Sequence, residues 1–153
     1  MGVGIISDTH GLLRPEALSA LQGVELIIHA GDVGGPEVVR RLKEIAPVFA
    51  VRGNVDTQPW AMELPETATI EAARTSFYVL HNLQHLDLKP EASGFQVVVT
   101  GHTHQPEQYE RNGVLYLNPG SAGPRRFHLP VTLAILDLRK KPLRPEILTL
   151  LPS

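Results

Sequence analysis

Residues 96–106 read QVVVTGHTHQP. Three consecutive valines suit a strand buried on both faces. The next residues are Gly101, then His102 and His104 separated by one threonine, then Pro106, which ends any regular element. A strand that stops on glycine and at once presents two imidazoles reads as the rim of a site. The fold therefore turns on whether other strands end the same way.

They do. Residues 3–6 form a short β run ending in Ser7-Asp8-Thr9-His10-Gly11. Residues 25–29 form a second, ending in His29-Ala30-Gly31-Asp32-Val33-Gly34, and residues 48–51 a third, ending in Arg52-Gly53-Asn54-Val55-Asp56. Between them, residues 15–22 can start a helix with proline in its first turn, and Gly35-Pro36 opens an amphipathic helix through about Ile45. Strands alternating with helices predict a mostly parallel sheet covered by helices. In the second half, residues 69–72 and 77–80 look like a hairpin, the latter ending in His81-Asn82. Residues 108–111 and 114–117 flank Asn112-Gly113, a strong hairpin signal. Residues 132–138 and 146–150 are the last strands. About nine strands with two or three helices predict an α/β (α+β) chain: a two-sheet β-sandwich flanked by helices, because one open sheet of that size tends to split or curl. The whole of 1–153 reads as one domain.

The bulk composition narrows the function. The chain is 42% hydrophobic and 20% charged, with 14 Lys and Arg against 16 Asp and Glu. That near-neutral balance gives no electrostatic footprint for nucleic acid or a membrane surface, although nucleic acid stays open as a substrate. Cysteine is absent, so a metal must be held by His, Asp, Glu, Asn or backbone. No apolar run reaches the roughly 18–20 residues that span a bilayer, and no signal sequence is evident, so the expected location is cytoplasmic.

In open α/β sheets the carboxyl ends of strands form the ligand crevice. Five strand ends here deliver Asp8, His10, Asp32, Asn54, His81, His102 and His104 to one rim, with glycines at 11, 31, 53 and 101 permitting close approach. Each residue alone has an ordinary explanation as a cap, a turn or a strand-end histidine. Jointly, unpaired imidazoles and carboxylates on one edge carry a heavy desolvation cost that divalent metal removes. Seven donors exceed one centre that must also admit substrate, and suit two ions with one bridging carboxylate. Two divalent ions against Asp8, Asp32 and a hydroxide leave about one positive charge, which suits hydrolysis of a phosphate ester. Sulfur-free N/O ligation suits manganese, the ion expected first, and also iron, zinc, nickel or cobalt.

In this order, Asp8-Thr9-His10, Gly31-Asp32, Gly53-Asn54, His81 and Gly101-His102-Thr103-His104 resemble the calcineurin-like metallophosphoesterase superfamily. The short length, Gly-Asn-Xaa-Asp at 53–56 and Asn118-Pro119-Gly120-Ser121 are similar to its small single-domain phosphodiesterase branch. The resemblance implies a four-layer metallophosphoesterase fold. It also implies that Asp8, His10 and His104 hold a first ion, that Asn54, His81 and His102 hold a second, and that Asp32 bridges. One strand end would thus supply one imidazole to each ion. The implied activity is hydrolysis of a small phosphodiester by a metal-bound hydroxide, with Asp32, Asn54 and His102 acting through the metals.

Three departures bear on that activity. Larger superfamily members place a His after the Asn to protonate the leaving group, and here that position is Val55. The branch usually reads His-Gly-His where this chain has His81-Asn82-Leu83, and His85 reads as an exposed loop residue rather than a replacement. The stretch 86–94 contains Pro90 and is short for a substantial helix, which leaves the surface beside the site open. Asp56 reads either as a carboxylate orienting a ligand or as a turn residue. Arg125 and Arg126 are candidate substrate contacts, since arginine offers bidentate geometry to phosphate, or a solvated rim. Trp60 and Phe127 read as core packing, His29 as structural, and His128 has no assignable role. The Leu/Pro-rich C-terminal segment reads as a subunit contact of a homo-oligomer or as an edge strand. Two other functions share these expectations: a phosphomonoesterase, and a protein-interaction scaffold like the retromer subunit that has this fold with a degraded metal site. Retention of all seven donors favours an enzyme.

Overall fold

The computed structural model describes residues 1–152. Ten strands form two five-stranded sheets. The first contains β1 (Gly2–Ile6), β2 (Leu26–His29) and β3 (Val48–Ala50), all parallel, with β9 (Val131–Asp137) antiparallel beside β1 and β10 (Glu146–Leu151) antiparallel beside β9, in the order β10-β9-β1-β2-β3. The second contains β4 (Thr67–Ala72), β5 (Thr75–Leu80), β6 (Val97–Val99), β7 (Glu107–Arg111) and β8 (Val114–Asn118) in the order β4-β5-β6-β8-β7. Its three central strands are parallel and its edges are antiparallel hairpin partners. The C-terminal segment is thus the edge strand of the first sheet.

Strand alternation decides what lies between the sheets. Val3, Ile5, Leu26 and Ile28 from one sheet meet Phe77, Val79, Val97, Val99 and Leu117 from the other in a common buried core. Each such side chain contributes about 1.5–3 kcal/mol on burial. The alternate residues of the first sheet, Ile6, Ile27 and Leu133, face α1 (Pro15–Ala20) and α2 (Pro36–Lys43) through Ala17, Leu21, Val38 and Leu42. Trp60 packs against that cluster. Both helices are two residues shorter than their sequence pattern. Their last turns close with i→i+3 bonds, Gln22 N–H to Ser19 C=O and Ile45 N–H to Leu42 C=O, the tighter geometry common at helix ends.

The fourth layer is a loop. The outer face of the second sheet, with Tyr78, Leu80, Val98 and Tyr116, is covered by Leu86, Leu88 and Phe95. These belong to the 81–96 connection, whose regular structure is one 3₁₀ turn at Leu83–His85. The expectation that 86–94 is too short for a substantial helix therefore holds. A second 3₁₀ turn, Pro59–Glu63, follows β3; neither turn has a periodic pattern long enough to read from sequence. Phe127 is a correction: expected in the core, it is 83% exposed, because its loop turns outward with a left-handed backbone at that residue.

Register gathers the site. Ile6 pairs with His29 and His29 with Ala50, so the three parallel strands of the first sheet end level. Val79, Val99 and Leu117 are likewise level in the second. The two edges are tied by the Ser121 hydroxyl donating to Asp8 C=O at 2.9 Å and by Ala122 N–H to Ser7 C=O at 3.0 Å.

Candidate metal centre

All seven donors expected from sequence come from these strand ends. Five of them, Asp8, His10, Asp32, His102 and His104, have positive φ, between 47° and 73°. That region costs a non-glycine residue about 1–2 kcal/mol, and such strain concentrates at functional sites. At these five positions the backbone turns sharply just past the strand ends of β1, β2 and β6.

The side chains then converge. Asp8 Oδ1 lies 3.4 Å from His104 Nε2, 3.8 Å from His81 Nε2 and 3.9 Å from His10 Nε2. Asp32 Oδ2 lies 3.1 Å from His81 Nε2 and 3.7 Å from His10 Nε2. The imidazoles of His10 and His104 approach with their Nε2 atoms 3.3 Å apart. On the far side, His102 Nδ1 is 3.2 Å from the side-chain oxygen of Asn54, and the His102 and His81 rings meet edge-on with centroids 5.3 Å apart. Donor atoms of Asp8, His10 and His104 fall within 4.8 Å of one another, as do those of Asp8, Asp32 and His81. Asp8 belongs to both sets.

Each carboxylate spends one oxygen on the protein and aims the other at the centre. Asp8 Oδ2 accepts from the Ser7 hydroxyl at 2.8 Å and from His102 N–H at 3.1 Å. Asp32 Oδ1 accepts from Val55 N–H at 3.0 Å. His81 has its Nδ1 against Ala30 C=O at 2.8 Å, so Nδ1–H donates there and Nε2 is the nitrogen turned to the two carboxylates.

The electrostatics are those of a cation site. Burial raises the Asp8 carboxyl, but His104, His81 and the Ser7 hydroxyl outweigh it and hold it below its ordinary value. Burial likewise raises Asp32, and His81, Val55 N–H and His10 bring it below. Burial lowers His81, while Asp32 and Asp8 raise it further than burial lowers it. Meanwhile Asp8 Oδ1, His81 Nε2 and His104 Nδ1 are buried without a hydrogen-bond partner. Buried polar atoms in that state cost about 1–3 kcal/mol each. Two carboxylate oxygens facing imidazole lone pairs without proper hydrogen-bond geometry fit a divalent cation.

Glycine is required where ligand loops cross. A Cβ at Gly53 would fall on Asp32 Oδ1, and one at Gly101 would fall on the Ser7 hydroxyl and lie 2.7 Å from Asp8 Oδ2. The other expected residues divide. Asp56 accepts three backbone N–H bonds, from Val33 and Gly34 at 3.0 Å and from Gly53 at 2.9 Å, so it ties the Asp32 loop to the Asn54 loop through backbone and touches no ligand side chain. Arg125 and Arg126 are exposed on the 124–130 loop, and neither lines a cavity beside the centre. His85 is exposed, as expected, yet lines the same cleft as Asn54 and His81.

Two further positioning contacts have no signature in the sequence beyond their place beside a motif. Arg52, two residues before Asn54, lines that cleft and reaches Glu66 Oε1 at 3.4 Å. Asn118 donates its side-chain N–H to Gly101 C=O at 2.9 Å and to the Thr103 hydroxyl at 3.1 Å, holding the His102–His104 turn. His29, read from sequence as structural, meets the Thr9 hydroxyl at 3.0 Å.

The model of the calcineurin-like phosphoesterase superfamily domain matches residues 1–141. A probable metallophosphoesterase of Methanothermobacter thermautotrophicus is 34% identical, covering 97% of this chain and 92% of its own length. Among solved structures, an archaeal phosphodiesterase superposes with a TM-score of 0.79 at 29% identity, covering 97% of this chain and all of the other. Vps29 of Entamoeba histolytica, solved with zinc, superposes with a TM-score of 0.75 at 22% identity over 98% of this chain and 99% of its own; that likeness shows the fold alone. With the donor set, the family match and these relatives in hand, this chain belongs to the calcineurin-like phosphoesterase superfamily and is a metal-dependent phosphoester hydrolase.

Proposed function

We propose that the protein hydrolyses small phosphate diesters at a two-ion centre. Asp8, His10 and His104 hold the first ion, Asn54, His81 and His102 the second, and Asp32 is shared. The observation that carries this reading is the position of Asp32 Oδ2, facing His10 Nε2 at 3.7 Å and His81 Nε2 at 3.1 Å. Two divalent ions, when bound, supply hydroxide near neutral pH and positive charge for the oxygens of a phosphate ester. Manganese is the ion we expect, since the donors are nitrogen and oxygen without sulfur.

The chain's own residues do the rest. Burial of Asp8, Asp32, His81 and His104 keeps water from competing with the donors, while exposed Asn54 and partly exposed His102 leave one side open to substrate. That side opens into a cleft of about 920 Å³. The position after Asn54 is Val55, 47% exposed, so no imidazole is available there to protonate a departing alkoxide. This supports a diester with a stabilised leaving group over a monoester. The archaeal phosphodiesterase relative points the same way.

The test is hydrolysis of an aryl phosphodiester and the matching monoester by metal-stripped protein, before and after adding manganese. Manganese-dependent turnover favouring the diester is the expected result. Preference for the monoester would overturn the substrate assignment, and failure to bind two ions would overturn the centre. No helix among the described residues is long and apolar enough to cross a membrane, and the expected setting for this reaction is the cytoplasm.

A further inference from the structure

The 3₁₀ turn at Leu83–His85 is a ridge with a cavity on each side. His85 lines the larger, of about 920 Å³. Leu83 and Gln84 line the smaller, of about 220 Å³, together with His102, Tyr109 and Tyr116. Asn82 lines both. The cavities meet at the contact between Asn54, which lines the larger, and His102, which lines the smaller, 3.2 Å apart. A phosphate bound beside that pair therefore has one cavity available to each of two ester arms.

The cavities differ in chemistry. The larger carries Arg52, Asp56, Glu66 and Asp87. In the smaller, Glu107 is the one carboxylate, and no Lys or Arg is present. Its wall is aromatic: the Tyr109 and Tyr116 rings stack with centroids 5.2 Å apart and planes 1° from parallel. Tyr109 stays 37% exposed and Leu83, opposite on the ridge, 36%. Whole small-molecule sites occupy about 300–1,000 Å³, so the smaller cavity suits one arm of a ligand, and the larger can take the remainder.

We propose that the smaller cavity is a subsite for an uncharged aromatic arm of the diester, with Tyr109 as its specificity-determining residue. The inference rests on the phosphodiesterase reading above. A planar arm covers apolar surface that Leu83 and Tyr109 leave open, and ring–ring contact is worth about 3- to 10-fold in affinity. Glu107 repels an anionic arm and accepts a hydrogen bond from an amino or hydroxyl group on a neutral one. A diester joining a nucleoside-like arm to a larger polar group has this chemistry.

The test compares dissociation constants of benzylphosphonate and propylphosphonate, which are not hydrolysed, for the manganese-loaded protein by calorimetry. The intact protein binds the benzyl compound about 3- to 10-fold more tightly. Tyr109→Phe keeps that ratio, because the ring remains, and Tyr109→Ala brings it to about one. Tyr109 sits on the edge strand β7 and is partly exposed, so both variants fold, which a thermal melt checks. An unchanged ratio in Tyr109→Ala, in a protein that turns over the aryl phosphodiester, overturns this inference alone. If neither phosphonate binds and no diester is hydrolysed, the phosphodiesterase reading falls and takes the subsite with it.

Discussion

The imidazole of His29 and the hydroxyl of Thr9 meet at 3.0 Å, joining the end of β2 to the loop that carries Asp8 and His10. His29 Nδ1 accepts from Gly31 N–H at 3.1 Å, so its proton sits on Nε2 and is donated to Thr9, whose own hydroxyl donates to Val33 C=O at 2.8 Å. Every proton in this chain of bonds is assigned, and acceptance at Nδ1 requires a neutral imidazole. Burial holds the His29 pKa down at about 4, against 6.5 in the unfolded chain. Between those values the unfolded state binds a proton that the folded state does not, so stability falls as pH falls from 6.5 towards 4. The stabilisation is complete above about pH 6.5, and the loss sums to about 3 kcal/mol. Urea unfolding of metal-stripped protein at pH 7 and pH 4.5 should show this slope in the intact chain and a flatter one in His29→Phe. Equal slopes would mean that His29 does not govern acid sensitivity.

Asp56 makes the matching connection between β2 and β3. Its carboxylate is buried and accepts from Val33, Gly34 and Gly53. Asp56→Ala leaves three backbone donors without a partner and should cost at least about 3 kcal/mol. Asp56→Asn keeps the shape but turns one acceptor into a donor facing an N–H. We expect it to stay folded at 25 °C with manganese affinity lowered about 10- to 100-fold, as when other groups that orient metal ligands are replaced. Competition with a metal indicator measures this. Unaltered affinity in a folded Asp56→Asn would make the carboxylate a turn residue only.

Val55 offers a gain-of-function test. Its N–H bonds Asp32 and its side chain is 47% exposed, so a larger polar side chain meets no core there. Val55→His places an imidazole directly after Asn54, where it can deliver a proton to a departing oxygen. General acid help is typically worth about 10²–10⁴-fold. Turnover of an alkyl diester, a poor leaving group, should rise towards that range, with little change for a nitrophenyl diester that leaves unaided. The ratio of the two rates is the measurement. A uniform rise or fall in both would show an effect on binding rather than on proton transfer.

The parts of the molecule legible in sequence share one physical cause. Asp8, Asp32, Asn54, His81, His102 and His104 each stand within a few residues of a strand end, and the parallel strands of each sheet end level. A one-dimensional pattern of apolar run, glycine and polar residue therefore fixes a three-dimensional rim. Arg125 and Arg126 lacked such a frame: they follow the Asn118–Ser121 turn at a distance, and the direction of an irregular loop is set by contacts the local sequence does not encode. The return of β9 and β10 to the first sheet was hidden for the same reason, since a strand's own pattern does not name its neighbour. Asp56 was ambiguous because a turn carboxylate and a carboxylate that staples two loops have the same local sequence. The cavities on either side of Leu83–His85 arise from a connection that lacks a helix, and their linings come from five separate segments that meet only on folding.

Asp32 is the most stringent test of the centre itself. One of its oxygens is committed to Val55 N–H and the other faces His10 and His81. Asp32→Asn retains the shape and the bond to Val55 while removing the negative charge. If Asp32 is shared by two ions, the variant loses metal-dependent diester hydrolysis, by at least about 10³-fold, and its affinity for both manganese ions falls. If Asp32 serves one ion alone, a single affinity falls and the other is untouched, which calorimetric titration of metal-stripped protein distinguishes. The same change keeps the bond to Val55 N–H, so the metal-free fold should survive it, which a thermal melt of metal-stripped protein checks. A large loss of metal-free stability instead would mean that Asp32 holds the fold rather than the ions.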